Sequence, residues 1–146
     1  SYALPAGRLS ASLGLTRAAE GETALTGSLD WRQDLPQGAA VTARVERNVT
    51  SGTDDTDRVV TLASIGYDRP LGAAGSLGLD LSFLDSRTPA TGDSVSDASL
   101  RATYSRALTP DWALDLGLTR RLRDSDSAGR ADSTAAFVTL GRRFDF

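Results

Sequence analysis

The chain has 146 residues, and its 16 basic and 19 acidic side chains give a net charge of −3. This mild and evenly spread charge excludes a nucleic-acid-binding surface. Because the sequence contains no cysteine and no histidine, it excludes disulfide scaffolds, thiolate metal sites and histidine-based catalytic sites. The length predicts a single domain, residues 1–146, and the composition indicates neither a cofactor nor a bound metal.

The main pattern along the chain is an alternation of apolar and polar residues in segments of about ten residues, which is typical of strands. Helical periodicity is poor throughout. The alternation predicts eight strands, at residues 7–17, 23–35, 39–49, 58–71, 76–84, 98–108, 112–123 and 133–146.

The fifth predicted strand shows the alternation most clearly, with Leu79 and Leu81 on one side and Asp80 on the other. Side chains alternate across a strand, so each predicted strand has an apolar side and a polar side. Two large apolar residues depart from the pattern, because Leu62 and Phe137 fall among the polar positions of their strands.

The connections between the predicted strands alternate in length. Tight turns follow the second, fourth and sixth strands, and longer polar loops follow the first, third, fifth and seventh. An even strand number with all tight turns at one end is typical of bacterial outer-membrane barrels, and it places both chain ends at the tight-turn end. The chain opens without a basic, apolar leader, so we expect that any secretory signal has been removed.

A short motif recurs where three of the strands approach a tight turn. It reads aromatic, any residue, Arg or Gln, any residue, Leu, and it begins at Trp31, Tyr67 and Tyr104; Phe144 is the fourth member. The successive spacings are 36, 37 and 40 residues (31 to 67 to 104 to 144). Amphipathic rings favour the headgroup level of a membrane, so the motif predicts an aromatic girdle at the tight-turn end. The predicted girdle consists of Trp31, Tyr67, Tyr104, Trp112, Phe144 and Phe146.

Seven arginines and seven carboxylates on the polar sides of the predicted strands form a balanced set. An unpaired buried charge costs several kcal/mol, so this balance predicts a network of ion pairs that fills a closed lumen. A solvated face with alternating charges is the open alternative. The predicted network consists of Arg8, Asp30, Arg32, Asp34, Arg44, Glu46, Asp68, Asp80, Arg101, Asp115, Arg121, Arg123, Arg143 and Asp145.

Other charges lie near the longer loops. Arg17, Arg47 and Arg120 are in register with the apolar sides of their strands, where they would reach lipid phosphates or form ordinary surface charge. Three groups of aspartates would bind divalent cations among lipopolysaccharide phosphates, or would simply keep the loops soluble. They are Asp54, Asp55 and Asp57; Asp85, Asp93 and Asp97; and Asp124, Asp126 and Asp132.

The strand count, the alternation and the terminal Phe146 resemble the small eight-stranded barrels of bacterial outer membranes, typified by the OmpA membrane domain and OmpX. The resemblance covers nearly the whole chain, at the level of pattern. It implies an antiparallel up-and-down transmembrane β-barrel in the outer membrane, with both termini in the periplasm. The implied partners are outer-membrane lipid, lipopolysaccharide and the barrel assembly machinery, which reads the C-terminal strand. The implied role is structural, anchoring or surface-interacting through four exposed loops, because eight strands leave an interior that side chains fill.

Two other functions stay open at this point. The strands would also suit the C-terminal part of a larger porin-like or secretion-related barrel, since the motif resembles strand pairs of such proteins. A soluble lipocalin-type barrel would instead turn the apolar sides inward to bind a ligand. An enzyme is not expected, because outer-membrane enzymes of this size typically use histidine. The carboxylate pairs Asp30/Asp34 and Asp54/Asp55 are better explained by an ion pair and a solvated loop than by acid–base catalysis.

Overall fold

The chain forms one antiparallel sheet. The structure, a computed structural model, describes residues 2–4, 6–17, 23–51, 57–89 and 91–142. Its strands are β1 (Tyr2–Leu4), β2 (Gly7–Arg17), β3 (Thr23–Asp34), β4 (Ala40–Ser51), β5 (Asp57–Pro70), β6 (Gly75–Arg87), β7 (Ser94–Ala107), β8 (Trp112–Ser125) and β9 (Gly129–Arg142).

The order of the strands in the sheet follows their order in the chain, and each strand is antiparallel to the next. This confirms the prediction of an all-β, antiparallel, up-and-down fold with eight long strands. The short strand β1 was not predicted. It pairs with the beginning of β2, with Tyr2 opposite Leu9, and its three residues are too few to show an alternation.

Several strands extend further into polar sequence than predicted. Strands β6 and β7 continue toward each other through pairs such as Asp85 with Ser96 and Ser86 with Val95, although these residues were assigned to a loop. Strand β9 begins at Gly129 rather than at residue 133, and residues 143–146 lie outside the described residues. The other boundaries differ by no more than two residues. The alternation marks only the part of a strand with an apolar side, whereas backbone pairing continues beyond it.

The register brings the apolar sides of all eight long strands onto one face of the sheet, here called the apolar face. Directly opposed residues in an antiparallel pair point to the same side. One row of such pairs crosses the sheet through Leu9, Trp31, Ala43, Ile65, Leu81, Leu100, Arg120 and Thr134. The opposite side, here called the polar face, carries the described members of the predicted charge network.

This sheet has almost no buried core among the described residues. Ala39 and Ala40 are the buried apolar residues, whereas Leu79, Leu116 and Val138 on the apolar face are 40%, 36% and 72% exposed. The chain exposes 10337 Å², while a compact monomer of 15.3 kDa exposes about 7,100 Å². The fold therefore leaves its apolar face exposed instead of burying it within the chain.

The register shifts steadily across the sheet. In the row defined above, Ala43 is three residues after the start of β4, Leu81 is six after the start of β6, and Arg120 is eight after the start of β8. The strands are therefore inclined relative to the line of tight turns. Closed barrels require a stagger of this kind.

The two edges of the sheet are open in the part of the chain that the structure describes. No pairing there joins β9 to β2. Every residue of β9 except Gly141 is exposed, and so are Ala11–Arg17 of β2 beyond the segment that β1 covers. The edge strands consequently present unpaired backbone groups, which favour pairing with another strand.

Candidate functional site

The apolar face is the largest candidate surface of the protein. Leu13, Ile65, Leu81, Leu118 and Val138, which lie on five different strands, are 50–84% exposed. Exposed apolar patches of this extent mark a surface that contacts another apolar phase or a partner. The residue types at the two ends of this face differ from those at its apolar centre, and the two ends also differ from each other.

Four predicted girdle residues lie on the apolar face near the tight-turn end. Trp31, Tyr67 and Tyr104 each occupy the fourth position from the end of their strand, and Trp112 is the first residue of β8. The register places these rings on the same side as the leucines, since Tyr67 is opposite Leu79 and Tyr104 is opposite Leu116. Phe144 and Phe146 lie outside the described residues.

A second group of polar residues lies on the apolar face, beyond Trp31, Tyr67 and Tyr104 and level with Trp112. This group, here called the turn-end rim, consists of Gln33, Arg69, Arg106 and Arg142. Arg69 donates a hydrogen bond from Nη2 to Oε1 of Gln37, at 2.9 Å. The guanidinium of Arg142 lies 5.5 Å from the ring centroid of Trp112, its directly opposed residue, which is within the range of a cation–π contact.

The loop end of the apolar face carries both signs of charge. The register confirms that Arg17, Arg47 and Arg120 lie on this face. Arg87 and Arg130 also lie on it and were missed, because both fall beyond the predicted ends of their strands. Four acidic residues share the same end and the same face: Asp57, Asp85, Asp124 and Asp132.

Ion pairs connect several of these loop-end charges. Arg87 Nε lies 3.5 Å from Asp85 Oδ2, and Arg120 Nη2 lies 3.9 Å from Asp132 Oδ2. Asp85 and Asp132 were candidates for divalent-cation binding and are therefore engaged with arginine, as is a third candidate, Asp97, which contacts Arg121 on the polar face. The described residues hold no group of three or more acidic, histidine or cysteine side chains placed to bind a metal.

On the polar face, the structure brings together part of the predicted charge network. Arg44 contacts Asp30 at 3.5 Å, directly across from it in the sheet, and Glu46 at 2.7 Å along its own strand. Arg32 contacts Asp34 at 3.1 Å. The arginine side chains in these pairs are 53–59% exposed, so in the open sheet the pairs are solvated.

Other members of the predicted network are not paired with each other. Asp80 and Arg101 are directly opposed, yet no described ion pair within 4.0 Å includes them. Arg121 contacts Asp97 at 3.3 Å. Asp97 lies outside the predicted strands, in the loop before the sixth of them. The remaining described members without such a pair are Arg8, Asp68, Asp115 and Arg123. Arg143 and Asp145 lie outside the described residues. Pairing across the sheet depends on neighbouring strands, which a sequence pattern cannot specify.

Hydroxyl groups fill much of the polar face between the charges. Ser12 and Ser28 share a hydrogen bond at 2.9 Å, and Ser82 and Ser99 share one at 2.7 Å. Cross-strand hydroxyl pairs stabilise neighbouring strands. The sequence shows small hydroxyl residues recurring at the polar positions of the strands. Which hydroxyl groups pair with each other depends on the register between neighbouring strands.

The out-of-pattern Phe137 packs onto a glycine of the polar face. It is directly opposed to Gly117, and a Cβ atom added at Gly117 would overlap the Phe137 ring. The missing side chain of β8 thus provides the space that the ring occupies. Coverage of a strand glycine by a neighbouring aromatic ring is a known stabilising device of sheets.

A hydrogen-bonded clamp joins the β8–β9 turn to the beginning of β7. The backbone N–H and the hydroxyl of Ser94 both donate to Oδ2 of Asp126 at 2.8 Å. These hydrogen bonds, the one from the hydroxyl first, hold the pKa of the Asp126 carboxyl below its ordinary value. The charged carboxylate therefore favours the closed clamp.

We expect this clamp to depend on pH in one direction. Because the folded-state pKa of Asp126 is lowered, the clamp is intact above the ordinary carboxyl pKa and opens as the pH falls through the lowered value. The protection factor of the Ser94 amide against hydrogen exchange should fall in that acidic range. The variant Asp126→Asn keeps an acceptor oxygen and should lose the pH dependence. Equal pH dependence in both proteins would contradict the assignment.

None of the described segments is a helix with the length and hydropathy needed to cross a membrane. Comparisons with protein-family models, with curated proteins and with solved structures found no match.

Proposed function

We propose that the chain forms an outer-membrane β-barrel with a structural, anchoring or surface-interacting role through the loops at its loop end. The observation that carries the proposal is the continuous apolar face, which runs across all eight long strands and stays exposed. Hydrocarbon is the environment in which such a face is stable without a buried core. No catalytic role is part of the proposal, since Asp30 and Asp34 are engaged with Arg44 and Arg32.

The ends of the apolar face support this proposal. Rings at positions 31, 67, 104 and 112 border the apolar centre at the tight-turn end, and arginines border it at both ends. Aromatic rings and arginines at the two interfaces are expected of a membrane-spanning sheet. We further propose that the tight turns and both termini face the periplasm.

Barrel closure is a further part of the proposal. The exposed outer sides of β2 and β9 and the progressive stagger of the register support pairing of these two strands, which would remove both open edges. Closure would also enclose the polar face, so that Arg44 and its partners would neutralise each other inside a narrow lumen.

The open edges also favour a second candidate, in which β2 or β9 pairs with further strands of a larger porin-like or secretion-related barrel. Planar-bilayer recordings distinguish the two. A filled eight-stranded barrel should show no large openings, whereas nanosiemens-scale conductance would support the larger barrel. A soluble lipocalin-type barrel would instead turn the apolar side inward, and a monomer that stays soluble without detergent would support it.

Electrophoretic mobility tests the membrane-barrel proposal directly. We expect the protein, refolded into detergent micelles or phosphatidylcholine vesicles, to run as a compact band in unheated SDS gels and to shift after boiling. The reason is that a closed barrel resists SDS until heat breaks its backbone pairing. A detergent-free monomer that stays soluble, with one mobility before and after boiling, would contradict the proposal.

A further inference from the structure

The two ends of the apolar face differ in charge. In the half of the apolar face that is nearer the loops, five arginines (at positions 17, 47, 87, 120 and 130) accompany four aspartates (at positions 57, 85, 124 and 132). At the tight-turn end, the turn-end rim holds the neutral Gln33, the three arginines Arg69, Arg106 and Arg142, and no carboxylate among the described residues. The loop-side half is therefore nearly balanced in charge, whereas the turn-end rim carries positive charge only.

The rim arginines stand at a fixed distance from the rings. Arg69 follows Tyr67 by two residues, and Arg106 follows Tyr104 by two residues, which is about 7 Å along a strand. The third arginine, Arg142, reaches the same level from β9 and lies against Trp112. The motif thus places a guanidinium group just outside the ring on β5 and on β7, and Arg142 adds a third beside Trp112.

The described partners of Arg69 and Arg106 leave both guanidinium groups without a carboxylate partner. Arg69 contacts the neutral amide of Gln37, and no described ion pair within 4.0 Å includes Arg69 or Arg106. The β7–β8 turn contains one acidic residue, Asp111, which lines a shallow cleft with Trp112 and Arg142. A guanidinium presents a planar set of donors that matches the oxygens of a phosphate group.

We propose that the turn-end rim binds the headgroup phosphates of anionic glycerophospholipids, with Tyr67, Tyr104 and Trp112 packing against the glycerol and upper acyl region. This inference rests on the proposed membrane location. The rings lie at the level where acyl chains meet headgroups, and arginines one strand-repeat further out reach the phosphates. The charge asymmetry between the two ends assigns the phospholipid to the tight-turn side.

Lipid retention by the refolded protein tests the proposal. Native mass spectrometry in detergent would count bound phosphatidylglycerol during a titration, with phosphatidylcholine and inorganic phosphate as the other probes. We expect the wild-type protein to retain phosphatidylglycerol in preference to phosphatidylcholine, and inorganic phosphate not to displace it. Each basic residue near a membrane surface contributes about fivefold in affinity, so R69Q/R106Q should weaken retention about thirtyfold.

A matched control separates the rim from general electrostatics. R17Q/R47Q removes two arginines from the same face at the loop end and changes the net charge equally, so we expect it to weaken retention less than about threefold. R69K/R106K keeps the charge and removes the bidentate donors, so its retention should lie between the wild type and R69Q/R106Q.

Three results would overturn the inference. They are equal weakening by the two Gln double variants, no preference of the wild type for phosphatidylglycerol, and displacement by inorganic phosphate at the same concentration as lipid. Heat-modifiable mobility is measured on the same samples. A wild type without it would refute the membrane barrel itself, whereas a heat-modifiable wild type without lipid preference would refute only the role of the rim.

Discussion

Replacing Leu81 with arginine is expected to lower the free energy of unfolding in a bilayer by about 2–4 kcal/mol, the cost of arginine on the lipid face near the midplane. Leu81 lies at the centre of the apolar face, opposite Ile65 and Leu100, and is 50% exposed. Urea unfolding of the protein from vesicles, followed by tryptophan fluorescence, measures the change.

The same strand provides a matched control for depth. Leu77 lies on the same face of β6, but at the level of the rings, opposite Tyr104. Near the interface the arginine cost falls to about 0–1 kcal/mol, so Leu77→Arg should be tolerated. If the apolar face were simply solvated, both variants would change stability by less than about 0.5 kcal/mol. Equal effects at the two positions would therefore refute the depth profile and with it the lipid-facing assignment.

Replacing Gly117 with alanine is expected to destabilise the protein by about 1–3 kcal/mol, the range for overpacking a filled space. The added Cβ would overlap the ring of Phe137, and this ring would have to leave its place on β8. The expected loss of stability is informative, because glycine in a strand is otherwise less favourable than alanine by about 0.5–1 kcal/mol. Without the ring, Gly117→Ala would therefore be expected to stabilise the protein.

Gly141 provides the control for this substitution. It lies on the same face of the adjacent strand, and a Cβ added there would meet no atom within 4 Å. Gly141→Ala should therefore be neutral or slightly stabilising. Adding Phe137→Ala to Gly117→Ala should produce a coupling free energy opposite in sign to the Gly117→Ala cost. Additive effects of the two substitutions would show that the ring and the glycine do not share a space.

The sequence predicted the strands best where their apolar sides were long. The core of β6 around Leu79 and Leu81 was assigned correctly, whereas its polar end at Ser86 was assigned to a loop. The reason is that alternation reports contact with an apolar phase, while backbone hydrogen bonding continues through serine and aspartate. Strand β1 escaped prediction for a related reason, since three residues carry no period.

The candidate-site residues also fall into those that the sequence predicted and those that it missed. The girdle rings and the apolar-face positions of Arg17, Arg47 and Arg120 followed from counting residues along single strands. The contact of Arg121 with Asp97 joins residues on different strands and was missed. The packing of the Phe137 ring against Gly117 was missed for the same reason. Contacts across strands depend on how two strands slide against each other, and no residue count within one strand contains that offset.

The sequence by itself determined where the alternating part of each long strand lies, which side of it is apolar and which ends carry rings, because these properties follow from a period of two along a single strand. The tertiary structure decided the register, and therefore that eight separate apolar sides join into one exposed face with a basic rim at one end and balanced charges at the other. Register is a relation between strands, fixed by backbone pairing and turn geometry together, so it emerges only when all of them are placed in one sheet.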